Sequence, residues 1–514
     1  MTRPLHAVVV GAGLGGLAAA IRLQAAGHRV TIVERQPQIG GRASQLRDAG
    51  YTWDTGPSLI TMPWLLDELF GLAGTTTADQ LTLRRLDPAY RIRWSDDPRT
   101  FDFTDDRDRM VGEMRRFSDH DADRYDTFMA ASRAIHEQGI LVAGRRPFLD
   151  APSFARLLPT MLRLDAVRSL RGFVGRSFSD PRLRMVFDFH SLFIGGDPWR
   201  VPAIYTALSY LQVADGVWYA DGGVYSIVRA LGGLIERGGG TIRTGTRVEA
   251  IESRDRRVTG VRLEGGERIE ADVVVSNADA TLTRRRLLDP PVADRVPWRW
   301  RRPRQTMSCY LLYLGTTRTF PALTHHTLLV GPDYPGFVRQ VTRERRVADS
   351  LALYVHAPSR TEPAMAAPGG DSLAILLPVP NLASGDDWAT RGPELRERVL
   401  DAMERDFGLD GLRASIAVEH AVTPVDFRRD LEAPLGNAFA TEPVLWQSAY
   451  FRQPNRDRTL GGLYYAGAGT HPGGGIPGVI LGAGVTSDVI EADLASGRLA
   501  ARVPAAGRAR TKAA

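Results

Sequence analysis

The 514 residues include one cysteine, Cys309, and one lysine, Lys512. A single thiol excludes an intrachain disulfide, a redox-active cysteine pair and any metal site built from several cysteines. The lysine sits in the last residues, so the body of the chain has no amine for a pyridoxal Schiff base or a phosphate loop. Uninterrupted apolar runs of about 18 residues are also missing, so no membrane-spanning helix is expected. The N-terminus enters its first apolar run after one arginine, without the sections of a signal peptide, which points to the cytoplasm. Demanding redox chemistry would have to come from a bound cofactor.

Hydrophobic residues at 43% and charged residues at 24% are those of a globular protein, and the length exceeds one typical core. The net charge of +6 is carried almost wholly by arginine spread along the chain, with short clusters such as 298–302. No nucleic-acid module accompanies it, and no nucleic-acid partner is expected.

The chain is organised around its beginning. Ala7-Val8-Val9-Val10 reads as a buried parallel strand and runs straight into Gly11-Ala12-Gly13-Leu14-Gly15-Gly16. Gly11 permits the tight turn, Gly13 lets backbone approach a pyrophosphate, and Gly16 lets the following helix pack close to the strand. Phosphates then meet the helix N-terminus. A second strand, Arg29–Val33, ends at Glu34, where an acid accepts hydrogen bonds from a ribose diol. Gln38-Ile39-Gly40-Gly41-Arg42-Ala43 adds a second glycine pair. It resembles the extended dinucleotide motif of FAD-containing amine-oxidase-type flavoproteins, in which Arg42 would face the diphosphate.

Further along, Trp53-Asp54-Thr55-Gly56-Pro57-Ser58 is a strand end entering a Gly-Pro turn. Residues 119–184 are helical in pattern. Within them Phe154, Leu157, Leu158, Met161 and Leu162 share one apolar face among arginines, with a break at Pro159; this suits either a bilayer surface or internal packing. A helix is expected over Val224–Arg237, then strands over Thr241–Val248, Val258–Leu263 and Arg268–Val275, with Gly265-Gly266 as a hairpin signal. Tyr310–Leu314, Leu351–Val355 and Leu373–Leu377 are expected to form a second sheet bounding an apolar pocket. His325-His326 lacks ligands nearby in sequence, and neighbours on a strand face opposite ways, so a structural role and no metal are expected. Near the C-terminus, the strand around Tyr464-Tyr465 leads into Gly467-Ala468-Gly469-Thr470-His471-Pro472-Gly473-Gly474-Gly475. Ile476-Pro477-Gly478-Val479 then opens a helix.

Taken together these stretches resemble the carotenoid desaturases of the bacterial and fungal phytoene desaturase type. The resemblance runs to about residue 495 and includes His190–Gly196, His325–Thr327, Tyr354–Pro358, Thr423–Phe427 and Trp446–Arg452. It departs at Trp218–Gly223, which lacks an arginine often found there, and at Ser153, where an acidic residue can occur. The fold implied is α/β: a Rossmann-like FAD-binding domain interleaved with a mixed-sheet substrate domain and a helical, membrane-associating region. Its expected segments are 1–75, 216–285 and 441–496 for FAD, 76–215 for the helical region, 286–440 for the substrate sheet and 497–514 for a disordered basic tail.

The resemblance implies that FAD is held by Gly11, Gly13, Leu14, Gly15 and Gly16, by Glu34 and Arg35, and by Gly41, Arg42, Gly56 and Pro57. Val248, Gly469, Thr470, Ile476, Pro477, Gly478 and Val479 complete the set. Arg156 falls on a family arginine near the substrate entrance and is the one catalytic candidate. The implied reaction removes two hydrogens across a carbon–carbon single bond of a long polyisoprenoid at a membrane surface, with quinone or oxygen as the final electron acceptor. A later-step or thirty-carbon desaturase, a ketolase, an isomerase, an amine oxidase and a non-catalytic lipid carrier remain as alternatives.

Overall fold

The computed structural model describes residues 4–289 and 298–499. Most of the expected tail, 500–514, lies outside them.

Five short strands form an all-parallel sheet in the order Leu463–Tyr465, Val273–Ser276, His6–Val10, Arg29–Val33, Thr241–Arg243. Their apolar runs are continuous because both faces are covered, as a parallel sheet requires. Helix Leu14–Ala25 packs between Val224–Arg237 and Ile476–Ala495, so three distant stretches of chain build this one layer.

Two expected strands are divided. Thr241–Val248 breaks at Gly245 (φ +60°), where Gly245 N–H donates to Gln36 O and Thr246 N–H to Glu34 O. The chain is tied over the end of the neighbouring strand, and a new strand, Val248–Arg254, starts beyond it. Arg268–Val275 breaks at Ala271-Asp272, where the Asp272 carboxylate accepts from His6 N–H at 2.8 Å. Arg268–Glu270 stays in a hairpin with Arg257–Leu263, and Val273–Ser276 joins the parallel sheet.

The second sheet has seven strands, ordered Ile416–Val422, Ser308–Thr316, Ser372–Val379, Ala352–His356, His326–Val330, Tyr90–Trp94, Asp97–Phe103. Alternation sorts its side chains. Tyr310, Leu312 and Leu314 enter the large core with Leu373, Ile375 and Leu377, while Cys309, Leu311, Tyr313, Ala374, Leu376 and Pro378 line a cavity on the opposite face.

Within the expected helical stretch 119–184, residues 151–174 form three short helices, Ala151–Ala155, Leu158–Arg163 and Leu170–Val174. Asp150 and Ser169 cap the first and third, and Asp165 breaks the chain at φ +52°. Pro159 sits in the first turn of the second helix, where its missing N–H costs nothing, so it marks a start rather than a kink. Among the described residues no helix is long and apolar enough to cross a membrane.

Candidate functional site

A cavity of about 840 Å³ runs from the N-terminal glycine turn to the apolar face of the second sheet. Its nucleotide end is made by backbone that tolerates no side chains. Gly11 has φ +98°, and a Cβ on Gly16 would lie 2.3 Å from Gly11 O. One on Gly13 would lie 2.8 Å from Asn277 Oδ1, and one on Gly15 would lie 3.1 Å from Gly467 backbone. Gly13 gives its helix no side-chain cap, which leaves the N-terminal N–H groups for an anion.

Glu34 is buried and locks this turn, its Oε2 accepting from Ala12 N–H at 2.8 Å and its Oε1 from Gln36 N–H at 2.7 Å. The second glycine pair docks beside the first, with Gly40 N–H donating to Ala12 O and a short bridge between Gly13 and Gly40. Behind it, a Cβ on Gly56 would lie 1.9 Å from Arg42 O.

Two guanidinium groups stand here, Arg42 half-buried and Arg452 buried, and among the described residues no carboxylate pairs with either. Arg42 reaches Asn437 Oδ1 at 3.3 Å and leaves Nε unpartnered. Arg452 donates to Ala468 O at 2.6 Å and leaves Nε and Nη1 unpartnered. Burial lowers the pKa of both, and the charge of Asp279 partly offsets it. Unpaired cations in a glycine cradle fit a dinucleotide diphosphate. At the C-terminal loop, Gly473 and Gly475 have φ +146° and +83°, and helix Ile476–Ala495 starts uncapped at the cavity with Pro477 in its first turn.

Of the residues expected at the cofactor, Gly11, Gly13, Leu14, Gly15, Glu34, Arg35, Gly41, Arg42, Gly56, Pro57, Val248, Ile476, Pro477, Gly478 and Val479 line this one cavity. Gly16 is buried in the helix–strand contact instead. Gly469 and Thr470 line a smaller cleft beside Arg42 and Asp279, where Thr470 Oγ1 donates to Gln453 O at 2.7 Å and holds the loop. Arg156 is exposed, carries charge near Asp150 and does not line the cavity.

Sequence reasoning missed Asn277, Arg452 and Asp54. Asn277 stands against Gly11, Gly13, Gly15, Gly16 and Gly467 at once, and its Nδ2 donates to Ala466 O at 3.0 Å. A polar residue directly after a strand adjoining the first one was the available signal. Asp54 caps helix Val224–Arg237 by accepting from Val224 N–H at 2.8 Å, and burial pushes its carboxyl up to about 7. Cys309 also lines the cavity, where burial pushes the thiol up and keeps it protonated.

Toward the second sheet the walls become Met185, Phe189, Phe193, Leu328, Leu353 and Leu376. Few polar groups remain. Tyr354 OH lies 2.5 Å from Ser58 Oγ and 2.8 Å from His326 Nδ1. His325-His326, which has no ligand nearby in sequence, meets a third histidine in the fold. His356 on the adjoining strand lies directly across from His326, and His325 precedes the strand, so alternation does not turn it away.

A dinucleotide cradle opening on an apolar chamber defines a flavoprotein oxidoreductase. The fold agrees with solved structures such as an oxidoreductase from Methanosarcina mazei (TM-score 0.64, 18% identity, 95% of this chain and 100% of that one). The family model for flavin containing amine oxidoreductases matches residues 14–490, and the chain belongs to that family. Its cofactor is FAD. Similar curated proteins are the lycopene-forming phytoene desaturase of Pseudescherichia vulneris, 40% identical over 95% of this chain and 99% of its own. The neurosporene-forming phytoene desaturase of Rhodobacter capsulatus is 39% identical over 92% of each.

Proposed function

We propose that the chain dehydrogenates carbon–carbon single bonds of phytoene, with FAD, to give more conjugated carotenes. The observation that carries this is the continuity of one cavity from the nucleotide cradle to a chamber walled by aliphatic and aromatic side chains. Bound FAD supplies a two-electron hydride acceptor. The protein aligns the substrate bond beside it and keeps water from an electron-poor carbon, which an allylic double bond stabilises. Leu192, Phe193, Leu353 and Leu376 do that by shape and dryness. The adjacent carbon releases a proton, and Arg156, exposed at the surface, is proposed only as a group near the substrate's entry. The segments 1–75, 216–285 and 441–496 form the FAD unit, and 76–215 with 286–440 the substrate unit.

Leu158 and Leu162 are 38% and 64% exposed, next to Arg163, a combination suited to an interfacial membrane contact by which a lipid-dissolved polyene enters. Oxygen or a quinone takes up the electrons.

The test is anaerobic: FAD-loaded protein is mixed with liposomes containing phytoene, and flavin absorbance and products are followed. Bleaching with longer polyenes supports the reading and counts the steps. An unbleached flavin and unchanged phytoene, even with quinone supplied, overturn it.

A further inference from the structure

We infer that His325, His326 and His356 form a binding site for one divalent transition-metal ion, zinc or a metal of similar imidazole preference. The cluster arises from register. His326 opens strand His326–Val330 and is paired across the sheet with His356, so both rings project on one face. His325 is brought back onto them by the turn in which Thr324 Oγ1 donates to His326 O and Thr324 N–H to Thr327 Oγ1. Ring centroids are then 4.5, 5.0 and 5.1 Å apart, and one nitrogen from each ring lies within 4.8 Å of the others.

The outer hydrogen bonds select the inward nitrogens. His325 Nδ1 is 2.5 Å from Thr361 Oγ1, and His326 Nδ1 is 2.8 Å from Tyr354 OH. His326 Nε2 is thereby left for an ion, while His325 Nε2 and His356 Nε2 hydrogen-bond each other at 3.2 Å, a contact that an ion would replace. This is the spacing of two ligands on one tetrahedral ion, and an outer partner on Nδ1 is the usual support of a metal-bound imidazole. His326 Nε2 has no hydrogen-bond partner although its residue is 0% exposed, and His356 Nδ1 has none either. Burial holds all three rings neutral, the form that ligates. Tyr219 meets the His325 ring edge-on, and its hydroxyl donates to the half-buried Glu362 at 2.6 Å.

An ion here clamps two strands and the turn Pro358–Arg360, and through His326 it fixes Tyr354, which lines the cavity. The inference concerns metal binding alone and stands or falls apart from the desaturation reading.

The experiment uses the full-length, FAD-loaded protein without a histidine tag. Metal is stripped with a chelator, Co²⁺ is titrated in while its visible absorption is followed, and bound metal per chain is measured by elemental analysis. One Co²⁺ per chain, displaced by Zn²⁺, is expected. His326→Ala should abolish the absorption, and Thr361→Val, which removes an outer partner, should weaken binding about tenfold. Flavin content per chain reports folding, and if His326→Ala loses its flavin, Thr361→Val and the wild-type stoichiometry decide. No Co²⁺ absorption in the wild type, or equal binding by a flavin-retaining His326→Ala, would mean a hydrogen-bonded imidazole cluster and would overturn the inference.

Discussion

The two ends of the cavity are specified in opposite ways. At the nucleotide end the glycine turn, the second glycine pair and the C-terminal loop approach one another so closely that a single added methyl group meets backbone. At the sheet end Leu311, Ala374 and Leu376 contribute only shape and dryness, from alternate positions of long strands. Position-by-position constraint thus belongs to the cofactor, and volume to the substrate. Substitutions of equal size should therefore have unequal consequences at the two ends.

The sharpest break is expected at Gly56. A Cβ there lies 1.9 Å from Arg42 O, a backbone atom that cannot rotate away. Gly56→Ala should lower flavin per chain at least tenfold, measured by absorbance after gel filtration. Full flavin occupancy would show that the cradle is softer than its geometry.

Arg452→Met tests the charge at that end. The guanidinium is buried with Nε and Nη1 unpartnered, and a charge-assisted hydrogen bond to a diphosphate contributes about 2 kcal/mol. FAD affinity should fall roughly thirtyfold by fluorescence titration. An unchanged affinity would assign Arg452 to holding Ala468 alone.

At the other end, Ala374→Phe should leave flavin binding intact and cut turnover of a long polyene about tenfold, since the added ring projects into the chamber without touching the glycine cradle. Equal loss of flavin would erase the distinction between the ends.

The same contrast explains what could be read in the chain beforehand. The strand, turn, helix and Glu34 are local in sequence, and each glycine there answers to a backbone need, so the cradle was legible as written. Asn277 and Arg452 were not, because their partners, Gly13 and Ala468, are brought to them only by sheet order and loop return. The alternating runs at 310–314 and 373–377 announced a sheet, but not which face would meet the cavity. His325-His326 gave no sign of a third histidine for a related reason. Its third neighbour, His356, is thirty residues from His326 in the chain and directly across from it in the sheet. The apolar spacing at 154–162 announced helix and Pro159 its interruption, which falls just before Leu158, whereas the second break, at Asp165, had no such marker.

The pH dependence of stability tests the place where the two ends meet. Asp54 caps helix Val224–Arg237 and lines the cavity, and burial raises its carboxyl to about 7 from an ordinary value near 4. Between those values the folded chain holds a proton that the unfolded chain has released. The stabilisation is complete below about pH 4 and fades as pH rises toward 7, by up to about 1.4 kcal/mol per pH unit. Asp188, buried against Arg171 and Tyr334 and also raised to about 7, acts in the same direction, so the wild-type slope contains both groups. Asp54→Asn should remove one share. Urea unfolding at pH 4.5 and pH 7 should show the variant losing less stability across that window than the wild type. Parallel profiles would place Asp54 among the freely ionised carboxylates, and the dry end of the cavity would then stop short of the helix that the flavin cradle rests on.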